Sequence, residues 1–216
     1  MPQPLRRLRF ARPAVLSVLL LQSGFAAPPA RLRTWDFSGD EPGAMARGLS
    51  VATGRWEVGT GEVLSQRGER RMDASNIALA NSTSYRDVEL TVRLKAVTGE
   101  TEQGGGMIWR AKDTNNFYAV RYNPLVPRTG PRRPNLKLYK MESGKLTQLD
   151  HADIPGGDRE WHTLRVTSIG PRIIGELDGE QLLEADDDTF LDVGQVGLWT
   201  RADAVTDFDD FTVLAR

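Results

Sequence analysis

The chain of 216 residues contains no cysteine. It therefore holds no disulfide, no thiolate metal site and no cysteine nucleophile. Histidine is nearly absent as well, with His151 and His162 the only two. No H-E-x-x-H pair, no glycine-rich phosphate loop and no Ser-His-Asp spacing occurs, which removes the commonest metalloprotease, nucleotide-binding and serine-hydrolase patterns. Beyond residue 30 almost nothing carries the helical period of apolar residues. No later run is long or apolar enough to cross a membrane.

What is present begins with a leader. Arg6, Arg7, Arg9 and Arg12 precede a short apolar run, "AVLSVLLLQSGF", and Gly24-Phe25-Ala26 makes a small-x-small cleavage site. Residues 1–27 read as a signal peptide, and residues 28–216 as a single mature domain. The alternative, a transmembrane anchor, needs about 20 apolar residues, more than the run supplies. Arg6-Arg7 is also a twin-arginine hint. Removing the leader leaves 24 basic against 29 acidic side chains, a net charge of −5. That balance argues against a general nucleic-acid binder. An exported domain without disulfides must rely on its apolar core, and such a protein fits a bacterial periplasm or secretome. Periplasmic or secreted is the expected location.

Short runs rich in Val, Leu, Ile, Thr, Tyr and Trp recur between Gly, Asp and Asn residues. About fourteen strands are expected, among them Asp87–Val97, Gly106–Ala111, Phe117–Asn123, Leu136–Met141, His162–Ile169, Gln195–Arg201 and Phe208–Leu214. So many short strands with tight turns predict an all-β fold, a two-sheet antiparallel sandwich. "GELDGEQ" (175–181) poses a question, because Glu176, Asp178 and Glu180 at every second position could form a carboxylate row on one strand. Asp178-Gly179 between apolar flanks instead predicts a hairpin turn, which puts the two glutamates on different strands. "ESGK" (142–145) reads as another hairpin. The longest loop, 124–134 within "NPLVPRTGPRRPN", is stiffened by four prolines and made basic by Arg128, Arg132 and Arg133. It is either a solvated insertion or a lip over a binding face.

Five blocks in order carry a family likeness: "GGGMIWRAKDTNNFYAVRYNPL" (104–125), "NLKLYKMESGKLTQL" (135–149), "REWHTLRV" (159–166), "LDGEQLLEADDDTF" (177–190) and "GQVGLWTRADAVTDFDDFTV" (194–213). Together they resemble the concanavalin A-like jelly-roll domains of the 3-keto-disaccharide hydrolase family, and similar patterns occur in laminin G-like lectin domains. The resemblance implies a jelly roll of the lectin/glucanase type with a concave face. It also implies extracytoplasmic work on carbohydrate, as binding or as cleavage of oxidised glycosides. The inserted "VPRTGPRRP" departs from the family pattern and puts substrate preference and activity in question.

Alternation along the strands sorts candidate site residues. Met107 and Trp109 share one face of their strand, Ile108 and Arg110 the other. Arg121 and Asn123 oppose Tyr118, Val120 and Tyr122. Lys137 and Tyr139 oppose Leu136 and Leu138, and Trp199 and Arg201 oppose Val196 and Leu198. The set Arg110, Arg121, Asn123, Lys137, Tyr139, Trp199 and Arg201 would make a basic, aromatic sheet face. A sugar ring packs its C–H face on an aromatic side chain, and its hydroxyls accept hydrogen bonds from Arg, Lys and Asn. An ordinary solvated outer face is the alternative.

Catalytic residues are harder to find. Arg110, Arg121 and His162 are candidates, although His162 sorts to the core side with Leu164 and Val166. A 3-keto sugar allows elimination, which needs a base and an electrophile for the enolate. The base is not legible in the sequence. Asp36 and Asp210 are expected to approach through paired terminal strands and could share a structural Ca²⁺; turn and cap chemistry is the alternative. Phe208 and Phe211 fall on opposite faces unless a bulge intervenes near Asp209-Asp210. Three functions stay open: a hydrolase or lyase on 3-keto-glycosides, a non-catalytic lectin-like module, and an extracytoplasmic scaffold.

Overall fold

Strand Val88–Thr98 sets the pattern for the molecule. Val88, Leu90, Val92, Leu94 and Ala96 are buried, and the residues between them are partly exposed. This period of two means one face packs on a core and the other meets solvent. A computed structural model describes residues 32–68, 74–125 and 133–216. It contains fifteen strands. They are β1 (Leu32–Trp35), β2 (Leu49–Thr53), β3 (Trp56–Val58), β4 (Leu64–Arg67), β5 (Ser75–Ala80), β6 (Val88–Thr98), β7 (Gly106–Asp113) and β8 (Asn116–Asn123). The rest are β9 (Asn135–Glu142), β10 (Lys145–Asp153), β11 (Trp161–Ile169), β12 (Arg172–Leu177), β13 (Glu180–Asp186), β14 (Gln195–Arg201) and β15 (Val205–Ala215).

All pairings are antiparallel and build two sheets. One runs β13-β12-β11-β6-β15-β4-β3, with β1 on β15; the other runs β10-β9-β8-β7-β14-β5-β2. The fold is a two-sheet sandwich, as the strand pattern implies, and a jelly roll, as the family resemblance implies. Between the sheets lies one large core, in which Trp35 stacks on Phe211 and Trp109 on Tyr118, and Trp56 meets Phe208 at a tilt. The seven-stranded sheet also carries a smaller apolar cluster on its outer side: Ile77, Ile108, Phe117, Ala119, Tyr139, Met141 and Trp199. Its central strands are therefore buried on both faces.

The turns follow their residues. Asp178 and Gly179 join β12 to β13 with φ of 51° and 84°. Positive φ at both central positions is the hairpin geometry that Asp-Gly favours. Ser143 and Gly144 repeat it between β9 and β10. In β15 the register shifts between Asp209 and Thr212, and Asp210 has φ 48°. This bulge lets Phe208 and Phe211 both enter the core. The expected leader, residues 1–27, and residues 126–132 of the proline-rich loop lie outside the described residues.

Candidate functional site

Three neighbouring strands, β8, β9 and β10, lay out the site as a grid. Arg121 pairs with Lys137 across β8–β9, and Lys137 pairs with His151 across β9–β10. Two positions along, Asn123 pairs with Asn135 and Asn135 with Asp153. Side chains two apart share a face, so both rows project to the same side. A bulge between Gln148 and Asp150 lets β10 keep this phase as far as Asp153. Together with Tyr139, Glu102, Arg133 and Arg201 these residues line a hollow of about 440 Å³.

Arg121 is the deepest cation of the hollow, with 5% of its surface exposed. Its Nη1 stands 3.1 Å from Glu102 Oε2, and its Nη2 donates to the Tyr139 hydroxyl at 3.4 Å. Asn123 Nδ2 donates to the same Glu102 oxygen at 2.8 Å. Glu102 is set from below by Asp203, whose carboxylate accepts the backbone N–H groups of Glu100, Thr101 and Glu102. Burial alone would raise the Asp203 pKa, but those backbone hydrogen bonds hold it below the usual carboxylate range. Lys137 titrates lower than a free lysine, first because it is desolvated and then because Arg121 is beside it. Burial raises the Tyr139 pKa, which keeps that hydroxyl protonated. Arg121 Nη2 donates to the Tyr139 oxygen, so the hydroxyl hydrogen remains available to a further acceptor.

A family model described as a 3-keto-alpha-glucoside-1,2-lyase-like domain matches residues 32–214. The chain belongs to this family. No curated protein matches the lyase-like domain by sequence. Among solved structures, the carbohydrate-binding module CBM66 of Bacillus subtilis aligns with a TM-score of 0.65 at 21% identity, over 76% of this chain and 93% of that one. The GH43 protein BlXynB of Bacillus licheniformis aligns at 0.61 and 16% identity, over 85% of this chain and 39% of that one. A Bacillus subtilis protein of unknown function with a galectin-like fold aligns at 0.56 and 15% identity, over 78% of this chain and 90% of that one. At these identities the likeness is one of fold.

Of the residues expected on one face of the lyase-like domain, Arg121, Asn123, Lys137, Tyr139 and Arg201 do come together at the hollow. Trp199 sorts to the same side but is wholly buried under the smaller apolar cluster, in edge contacts with Phe117 and Tyr139. It offers no ring face to a ligand. Arg110 goes elsewhere. The pairing of β7 with β8 is interrupted after Trp109, and Arg110 itself has φ 47°. This bulge breaks the alternation and turns the side chain to the sandwich edge. There its nitrogens donate to the carbonyls of Arg86, Phe190 and Gly170 and to the Asp87 carboxylate. Every face of that guanidinium is used in holding loops together.

His162 stands at a second cavity of about 490 Å³, which shares Asp153 with the hollow, and not in the core. Its Nδ1 lies 2.7 Å from Asp178 Oδ2 and its Nε2 3.2 Å from Asp158 Oδ1, with the Tyr122 ring beside it. The turn aspartate of "LDGE" thus has a second task as a histidine partner. Asp36 and Asp210 do come near each other, since Trp35 pairs with Phe211. The Asp36 carboxylate accepts from the Ser38 backbone and hydroxyl, and Asp210 pairs with Arg93. Among the described residues no group of three or more His, Asp or Glu is arranged to hold a metal ion.

Sequence reasoning missed Glu102, Asn135, His151 and Asp153, and reached Arg133 only as part of the basic loop. Glu102 sits in an irregular loop with no periodic signal. His151 and Asp153 belong to the part of β10 that follows a bulge, where simple alternation fails.

Proposed function

We propose that the hollow on β8–β10 binds a sugar, and that the domain cleaves 3-keto-glycosides there by elimination. The observation that carries this reading is the Arg121–Lys137 pair with Tyr139 on one face, Lys137 having its ammonium form disfavoured. Neutral Lys137 takes the hydrogen from the carbon between the ketone and the anomeric centre. The electron pair of that C–H bond moves onto the ketone oxygen as an enolate. Arg121 and the Tyr139 O–H stabilise the charge that develops there. The enolate then collapses to a carbon–carbon double bond as the anomeric C–O bond breaks. The departing oxygen recovers the proton held on Lys137, leaving an unsaturated keto sugar and a free alcohol. No oxidant or reductant is needed. The leader-like residues 1–27 support work outside the cytoplasm, in the periplasm or beyond.

Non-catalytic sugar binding is the second reading. It is favoured by the double engagement of Glu102 Oε2 by Arg121 and Asn123, which commits that carboxylate oxygen to protein partners.

The test is product analysis of purified protein with aryl glucosides and their 3-keto derivatives. Aglycone release and enone absorbance from the keto sugar alone, lost about 100-fold or more in a folded Lys137→Met variant, support the lyase. Binding without turnover supports the second reading.

A further inference from the structure

The charges around the hollow do not balance. Even with Lys137 uncharged, Arg121, Arg133 and Arg201 outnumber the two carboxylates of the hollow, Glu102 and Asp153. Among the described residues the Arg121–Glu102 contact is the one ion pair in this group. Arg133, Lys137 and Arg201 have no carboxylate within ion-pair distance among the described residues. The Nε–H of buried Arg121 has no acceptor there, and neither has the Nε–H of Arg201. Arg133 is exposed, but Arg201 is partly withdrawn from water without a counter-charge, and a buried donor without an acceptor, such as the Arg121 Nε–H, is costly. Both costs fall away when an oxyanion enters. A guanidinium meets a carboxylate or a sulfate through paired, charge-assisted hydrogen bonds, which a neutral hydroxyl cannot match.

We infer that the ligand of this hollow is an acidic sugar, a glycoside bearing a carboxylate or a sulfate ester, with Arg201 and Arg133 receiving the anionic group. This rests on the hollow being the sugar site, and it narrows the substrate class of that site. The division of labour follows from the layout. Arg121 and Tyr139 lie together, with Lys137 across the strand pair, and serve the ketone end. Arg201 comes from β14 and Arg133 from the segment leading into β9, so they flank that row and are free to hold a charged substituent. A single enolate oxygen would not use three guanidinium groups.

The experiment is calorimetric titration of the full protein with methyl glucoside, methyl glucuronide, a 6-sulfated methyl glucoside and inorganic sulfate, each at low and at raised salt. The expected result is at least tenfold tighter binding of one acidic sugar than of the neutral one. That preference should shrink with salt and fall about tenfold in Arg201→Gln, whose partly exposed side chain can be lost without unfolding. Which acid wins tells carboxylate from sulfate. Equal affinity for neutral and acidic sugars overturns the inference, as does inorganic sulfate binding as well as the sulfated sugar. Turnover of neutral 3-keto-glucosides with no acidic preference overturns the inference and leaves the lyase reading standing. No binding of any sugar overturns both.

Discussion

Arg121 and Glu102 meet at 3.1 Å on the floor of the hollow, and the arginine is almost wholly buried. A buried guanidinium robbed of its only carboxylate keeps its charge and loses its partner. Glu102→Ala is expected to cost about 2 kcal/mol of unfolding free energy, since a hydrogen bond to a charged group contributes on that order. Urea denaturation of the variant and parent checks it. A variant as stable as the parent would mean solvent already satisfies Arg121.

Arg110 is predicted to matter for folding and not for sugar. Its guanidinium joins the carbonyls of three separate segments, at Arg86, Gly170 and Phe190. Arg110→Met should destabilise by about 3–5 kcal/mol. Arg110→Lys should not rescue, because an ammonium cannot reach several directions at once. Thermal melts of both variants, with sugar affinity measured on whatever fraction stays folded, give the answer; intact stability with lost affinity would reverse the assignment.

Asp187 governs acid stability. Burial alone would raise its pKa, but hydrogen bonds from Lys140, Thr189 and Tyr118 bring it from 3.8 down to about 2. A depressed carboxylate pKa stabilises the fold above the unfolded value and ceases to do so as pH falls through the folded one. The contribution is roughly 2 kcal/mol, complete above about pH 5 and lost by about pH 1–2. Asp187→Asn should therefore lose stability at neutral pH while the gap to the parent narrows on acidification. A gap independent of pH would sink this reading.

His162 should show the opposite slope. Burial disfavours its cation, yet hydrogen bonds to Asp178 and then Asp158 raise its pKa above the ordinary 6.5. A raised histidine pKa stabilises below the unfolded value, and the stabilisation is lost as pH rises through the folded value. Compared with His162→Gln, the parent should have its advantage at pH 5 and lose it progressively above pH 7. An NMR titration of the imidazole that ends below 6.5 would contradict this.

How much of this could be read from sequence depends on the strand. β8 and β9 pair without a register shift, so simple period-two counting carries Arg121, Asn123, Lys137 and Tyr139 to one face without coordinates. In β7 the positive φ at Arg110 shifts the phase, and no residue type announces it, since arginine seldom takes that conformation. Trp199 was sorted to the correct side of β14, but side is not exposure: the outer face of this sheet has an apolar cluster of its own. The Asp178-Gly179 turn was legible because its chemistry is local. The meeting of Asp178 with His162 depends on the neighbouring strand and was not.

The floor of the hollow is contiguous in the chain. Arg121, Asn123, Asn135, Lys137, Tyr139, His151 and Asp153 all lie on one meander, β8–β10, at the end of its sheet. Glu102 and Arg201 arrive from outside that meander. Most of the proposed binding surface is thus encoded in a cassette of fewer than forty residues, with Glu102 and Arg201 supplied by the rest of the sandwich. Exchanging this cassette between family members that share those two residues would transplant the ligand preference and leave the host scaffold to its own stability.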